Sequence, residues 1–142
     1  MLPLILTKTK FEIMQKQEIS SVNNLLNAVQ TYFEAIHYCD TEKLNKIFHK
    51  SSSLFDVDGE NVFVEPIESF SNDVGGRISP ASIGQDLEAE ILMIDWLSSK
   101  CATVKIRIRA HQNIFVDHLG FVNGDNGWQI VSKIWHLETI IE

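Results

Sequence analysis

Residues 113–123 read Asn-Ile-Phe-Val-Asp-His-Leu-Gly-Phe-Val-Asn, and this stretch decides the architecture. Successive side chains of a strand point to opposite faces. Phe115, Asp117, Leu119 and Phe121 therefore share one face, and Ile114, Val116, His118, Gly120 and Val122 the other. Both faces are mainly apolar, unlike an antiparallel strand with one face in water. Such a strand belongs inside a sheet that is covered on both sides. Helices cover one side, and a second copy of the chain is the economical cover for the other. A homodimer formed through the sheet is expected.

Working outward, Gly124-Asp125-Asn126-Gly127 is a turn into a strand over Trp128–His136. Upstream, strands over Glu88–Trp96 and Cys101–Ala110 flank a Ser98-Ser99-Lys100 turn. In the second of these, Val104, Ile106 and Ile108 alternate with Thr103, Lys105, Arg107 and Arg109, which gives one buried and one wet face. The basic residues of the wet face are placed to pair with Glu88 or Glu90 across the hairpin. Further upstream, Ile19, Val22, Leu26, Val29, Phe33 and Ile36 recur at helical spacing and predict an amphipathic helix from about Gln17 to His37. Asp40 reads as the N-cap of a shorter helix carrying Leu44, Ile47 and Phe48. A short strand over Leu54–Val57 turns at Asp58-Gly59 into Val62-Phe63-Val64. Pro66–Asp73 accommodates one or two helical turns before a loop marked by Gly75-Gly76 and Ser79-Pro80. Helices first and antiparallel strands after them give an α+β fold, with the helices packed on one face of a curved sheet. Residues 17–142 form the single domain. The apolar start Met1-Leu-Pro-Leu-Ile-Leu precedes Lys8 and Lys10, the reverse of a signal peptide's charge order. Residues 1–16 are accordingly expected to be a tail or an edge strand.

The 142 residues are 44% hydrophobic and 22% charged, with a formal net charge of −7. That length suits one core. The acidic balance argues against nucleic acid, whose binding rests on Lys and Arg neutralising phosphates, and against an anionic membrane surface. No stretch is long enough to span a bilayer. Two cysteines, Cys39 and Cys101, are too few for a disulfide framework and suit a reducing cytoplasm. There is no glycine-rich phosphate loop, nucleophile elbow or Cys–His pairing, so kinases, dinucleotide oxidoreductases and α/β-hydrolases are excluded. The five histidines form no metal-ligand motif, and neither a metal nor a cofactor is expected. His37 and His49 are instead read as complementing the C-terminal dipoles of the two helices.

Asp117 lies between Phe115 and Leu119 on an apolar face, where a carboxylate is costly unless paired, hydrogen-bonded or protonated. One reading is a structural carboxylate held by solvent or backbone N–H groups. The other is a pocket acid that donates a hydrogen bond to a ligand oxygen. In the second case Phe115, Leu119, Phe48 and Trp128 are the candidate pocket walls. His136, which shares strand parity with Trp128, Ile130, Ser132 and Ile134, is a further polar group, or else a solvated strand end.

The order of elements, with Tyr32, His37, Asp40, Phe48-His49 and the closing Gly127–Ile134 run, resembles the nuclear-transport-factor-2-like superfamily and within it the small lumazine-binding-like proteins. The resemblance spans about residues 19–137 and implies a cone-shaped, cystatin-like curved sheet. Helices pack on its concave face around a pocket, and its convex face often dimerises. A more distant resemblance is to ketosteroid isomerase, an enzyme that uses a neutral aspartic acid in its oxyanion hole. The spacing of Tyr32, Asp40 and Asp56, and the placing of Asp117 on a late strand, imply Tyr32 and Asp117 as donors to an enolate oxygen, with Asp56 as the base. Val57 stands where that enzyme has proline, and Asp58 competes with Asp56 for the base. The expected ligand is small and apolar or aromatic. Any chemistry would be cofactor-independent proton transfer, such as isomerisation, cyclisation or dehydration. The competing class is a non-catalytic binding or dimerisation module.

Overall fold

The computed structural model describes residues 4–142. Helix α1 (Leu4–His37) is followed by α2 (Thr41–Ile47), strands β1 (Phe48–Asp58) and β2 (Asn61–Pro66), and α3 (Ile67–Gly75). A single 3-10 turn over Ala81–Ile83 leads into β3 (Ala89–Ser98), β4 (Cys101–Ala110), β5 (Asn113–Gly124) and β6 (Gly127–Ile140). The six strands form one curved sheet in the order β2-β1-β6-β5-β4-β3. All pairings are antiparallel except β1 with β6, which is parallel because the chain returns through the intervening elements before β6 joins β1. The fold is α+β, as expected.

Helix α1 begins at Leu4 rather than near Gln17, because no Gly or Pro interrupts residues 4–37. Residues 4–16 are thus helical and not the expected tail or edge strand, while Met1, Leu2 and Pro3 lie outside the described residues. A 34-residue helix is about 51 Å long, more than the sheet underneath can cover. Among the residues of α1 whose side chains are described, the buried ones lie in its C-terminal half, among them Leu25, Val29, Tyr32, Phe33 and Ile36. The first half of the predicted stripe, Ile19, Val22 and Leu26, is exposed. Asp40 caps α2 as read, its carboxylate accepting from the Lys43 N–H at 3.1 Å. Phe48 is the first residue of β1 rather than a helical position.

The concave face of the sheet carries Leu54, Val104, Ile106, Ile108, Leu119, Phe121, Trp128 and Ile130, and the three helices close over it. Strand β5 keeps its alternation along its length, with Asp117, Leu119 and Phe121 all buried. Strand β6 does not. Gly120 pairs with Ser132 but Phe121 pairs with Ile130, so Val131 is an extra residue and the side-chain parity inverts there. Beyond this bulge Lys133 and Trp135 turn inward, and Ile134 and His136 turn out to the exposed face. On that outer face Arg107 bridges Glu90 at 2.7 Å and Glu138 at 3.0 Å, and Arg109 reaches Glu88 at 3.1 Å, the cross-strand pairs expected of the basic row. Such exposed pairs contribute little to stability.

Candidate functional site

The bulge in β6 places a lysine opposite the carboxylate of β5, and α1 closes over both. Tyr32 donates its hydroxyl hydrogen to Asp117 Oδ2 at 2.7 Å. Lys133 Nζ stands 3.7 Å from the same oxygen, an ion-pair distance too long for a good hydrogen bond. Asp117 is 1% exposed and Tyr32 0%, and the Lys133 side chain 9%. The second carboxylate oxygen, Oδ1, is buried without a hydrogen-bond partner among the described residues. Burial, and next the adjoining Asp117 charge, raise the Tyr32 phenol well above its ordinary value, so it remains a committed donor. Burial pulls the Lys133 ammonium below its ordinary value, and Asp117 opposes that pull.

These three side chains form the floor of a cavity of about 120 Å³. Its walls are Ile36 of α1, Leu54 of β1, Phe70 of α3, Ile108 of β4, Phe115 of β5 and Trp135 of β6. Lys133 Nζ lies 4.5 Å from the Phe70 ring centroid and 5.4 Å from that of Tyr32, so the cation rests between two aromatic faces. Phe115 and Trp135 meet edge to face at 6.0 Å. Glu65, Arg77 and Ala110 complete the lining. Burial, and next a hydrogen bond shared with Asp73, push the Glu65 carboxyl up, while Ser69 opposes them. A second cavity of about 230 Å³ shares Ile36, Arg77, Ala110 and Phe115 with the first and adjoins it. The inner space is close in scale to the cavity of about 150 Å³ that accepts a benzene ring. It suits one ring and a polar group, with an arm reaching the outer space.

Of the residues predicted from sequence, the structure brings Tyr32, Asp117 and Phe115 together in this cavity. Asp56 follows Leu54 on the same side of β1 but is half-buried and outside the lining, so the three-residue isomerase arrangement is not assembled. Asp117 accepts from Tyr32 through Oδ2, and the same oxygen faces Lys133. His136 is exposed on the outer face because of the bulge. Leu119, Phe48 and Trp128 are buried core residues rather than walls: Phe48 stacks between Tyr32 and Phe70, and Trp128 meets Trp96 edge to face. His37 is buried against Tyr38, with Nδ1 unpartnered. His49 lies in β1, where Nδ1 accepts from the Ser51 N–H, and caps no helix. Lys133 and Phe70 are the site residues that sequence reasoning passed over, and Trp135, which reads from sequence as a core or interface residue, lines the cavity as well. The signal for Lys133 was a lone charge inside the apolar run Ile130–Trp135. Among the described residues no group of three or more His, Cys, Asp or Glu is placed to hold a metal, and no helix is long and apolar enough to cross a membrane.

The family model described as "Putative lumazine-binding" matches residues 20–136. No curated protein matches the sequence. Among solved structures, a nuclear-transport-factor-2-like protein of unknown function from Shewanella baltica superposes with a TM-score of 0.74 at 20% identity, over 85% of this chain and 96% of that one. A ketosteroid isomerase-like protein from Erwinia carotovora atroseptica gives 0.58 at 14% identity, over 80% and 92%. A cystatin-like fold protein from Burkholderia xenovorans gives 0.64 at 15% identity, over 87% and 94%. At these identities the likeness is one of fold.

Proposed function

The chain belongs to the "Putative lumazine-binding" family, and on that footing we propose that it binds a small, planar, largely apolar or aromatic molecule over the Tyr32–Asp117–Lys133 floor. The observation that carries this reading is the buried Asp117 carboxylate in the lining of an aromatic-walled cavity, with Oδ2 facing a lysine and Oδ1 without a hydrogen-bond partner among the described residues. A buried carboxylate oxygen without a donor is costly. A ligand N–H or O–H supplies that donor, and a ligand carbonyl accepts from Lys133. The ligand's polar edge is thus a neighbouring donor and acceptor, and its ring lies between Phe70 and Phe115. The family's description agrees with a heteroaromatic ring of this type. Thermal-shift screening of one-ring heteroaromatics on the native protein and on Asp117→Ala tests the reading. Hits that stabilise the native protein and not the variant support it; equal shifts in both remove Asp117 from recognition.

A second reading is a cofactor-independent isomerase, cyclase or dehydratase, and it draws on the Tyr32–Asp117 hydrogen bond as a proton path at the cavity floor. In this reading Asp117 takes the base role first assigned to Asp56. We also propose that a second copy covers the outer sheet face, where Val131 and Ile134 are exposed beside Phe55 and Val116. A monomer in a sizing measurement at micromolar concentration would refute that. The two free, half-buried cysteines support a reducing, cytoplasmic setting.

A further inference from the structure

Lys133 is poorly provided for as a cation. Its nearest neighbours are two aromatic faces and one carboxylate oxygen at 3.7 Å, Arg77 and Glu65 act on it from the same cavity lining with opposite sign, and among the described residues no acceptor stands at hydrogen-bond distance from Nζ. A fully solvated ammonium has three donors to satisfy. The side chain also ends in the cavity rather than in packed core, so Nζ faces space that a molecule can occupy. A desolvated lysine of this kind is a nucleophile toward carbonyl carbon.

We propose that Lys133 captures carbonyl compounds: its amine condenses with a small aldehyde or ketone held in the cavity, forming an imine and releasing one water. The inference rests on the binding reading above and adds a covalent step to the same site. The nitrogen lone pair forms the N–C bond while the carbonyl π pair moves to oxygen. One amine proton passes through Asp117 to that oxygen, giving a carbinolamine. The hydroxyl takes a second proton and leaves as water as the nitrogen lone pair forms the C=N bond. The iminium nitrogen then returns its remaining proton, so both amine hydrogens depart with the oxygen and nothing is oxidised or reduced. Asp117 is the carboxylate nearest the nitrogen, at 3.7 Å, and Tyr32 donates to the same oxygen, so a small shift of the lysine side chain gives both proton transfers a local carrier. Phe70, Phe115 and Trp135 select an apolar or aromatic carbonyl over a charged one. The depressed basicity of Lys133 favours the free amine at mildly alkaline pH, where exposed lysines remain protonated.

The test is reductive trapping of the full-length protein with limiting benzaldehyde and cyanoborohydride at about pH 8, read by site-resolved mass spectrometry. Benzyl alcohol, which fits the same space and carries no carbonyl, serves as the binding control, followed by NMR shifts at Phe70 and Phe115. The expected result is benzylation of Lys133 several-fold faster than of exposed Lys100 or half-buried Lys105, since lowered basicity raises the free-amine fraction. Benzyl alcohol slows labelling at Lys133 alone, and the preference disappears in urea. Lys133→Arg, which keeps the charge beside Asp117, abolishes the preferred adduct. Benzyl alcohol bound in the cavity, with Lys133 labelled no faster than Lys100, overturns the covalent step and leaves the binding reading intact. Failure of both labelling and benzyl alcohol binding overturns both. All these readouts except the variant come from the native chain, so poor folding of Lys133→Arg leaves the outcome decisive.

Discussion

Replacing Lys133 by methionine keeps the length and apolar stem of the side chain and removes only its charge. In the native protein that charge sits 3.7 Å from an Asp117 carboxylate that is 1% exposed. Removing one partner of a buried pair costs about 3–5 kcal/mol, because the remaining charge is left uncompensated. The expected destabilisation is therefore about 3–5 kcal/mol at pH 7, or on the order of 10 °C in Tm for a domain of this size. In the double variant Lys133→Met/Asp117→Asn the amide oxygen still accepts from Tyr32 and no charge remains, so stability returns to within about 1.5 kcal/mol of native. Urea denaturation followed by tryptophan fluorescence at pH 7 measures all three proteins. A single variant that loses under about 1 kcal/mol at pH 7, or a double variant as unstable as the single, refutes the buried pair.

Three further outcomes follow from the same geometry. Tyr32→Phe removes the 2.7 Å donor to Asp117 and is expected to cost about 1.5–3 kcal/mol in thermal or urea unfolding; a loss under about 0.5 kcal/mol shows that the hydroxyl is not committed to the carboxylate. The Lys133 pKa is lowered on folding, so the unfolded chain binds more protons between the folded value and the ordinary lysine value of about 10.4. Stability of the native protein relative to Lys133→Met therefore rises with pH through that window and levels above it, and a flat difference between pH about 8 and 10 contradicts the burial of the amine. Asp56→Asn and His136→Ala, both outside the cavity lining, leave binding of a cavity ligand unchanged, whereas Asp117→Asn abolishes it; a calorimetric titration in which Asp56→Asn weakens binding as much as Asp117→Asn returns Asp56 to the site.

The central strand was legible because nothing interrupts its alternation. The faces assigned to Phe115, Asp117, Leu119 and Phe121 hold, and with them the buried carboxylate. The partner strand was not legible in the same way. Period two carried forward from Trp128 puts Lys133 outside and His136 inside, and the extra residue at Val131 reverses both. A bulge is a property of the pairing and not of one strand's pattern, so a single-strand reading misses it. The same limit applies to α1, whose apolar stripe is periodic along its length but buried only where the sheet lies beneath it. Asp56 illustrates a different gap. Sequence spacing places it on the correct strand and the correct side, but how far the cavity extends along that strand depends on α3 and the Phe70 ring. The acceptor role of Asp117 likewise became visible only once Tyr32 and Lys133 were seen to share one of its oxygens.

The most direct test of the central claim is a crystal structure of the protein soaked with a one-ring amide such as benzamide. Density for the ring between Phe70 and Phe115, with the amide nitrogen on Asp117 Oδ1 and the carbonyl oxygen on Lys133 Nζ, is the predicted result. A cavity that stays closed, or a ring bound with its amide turned away from Asp117 and Lys133, would contradict it.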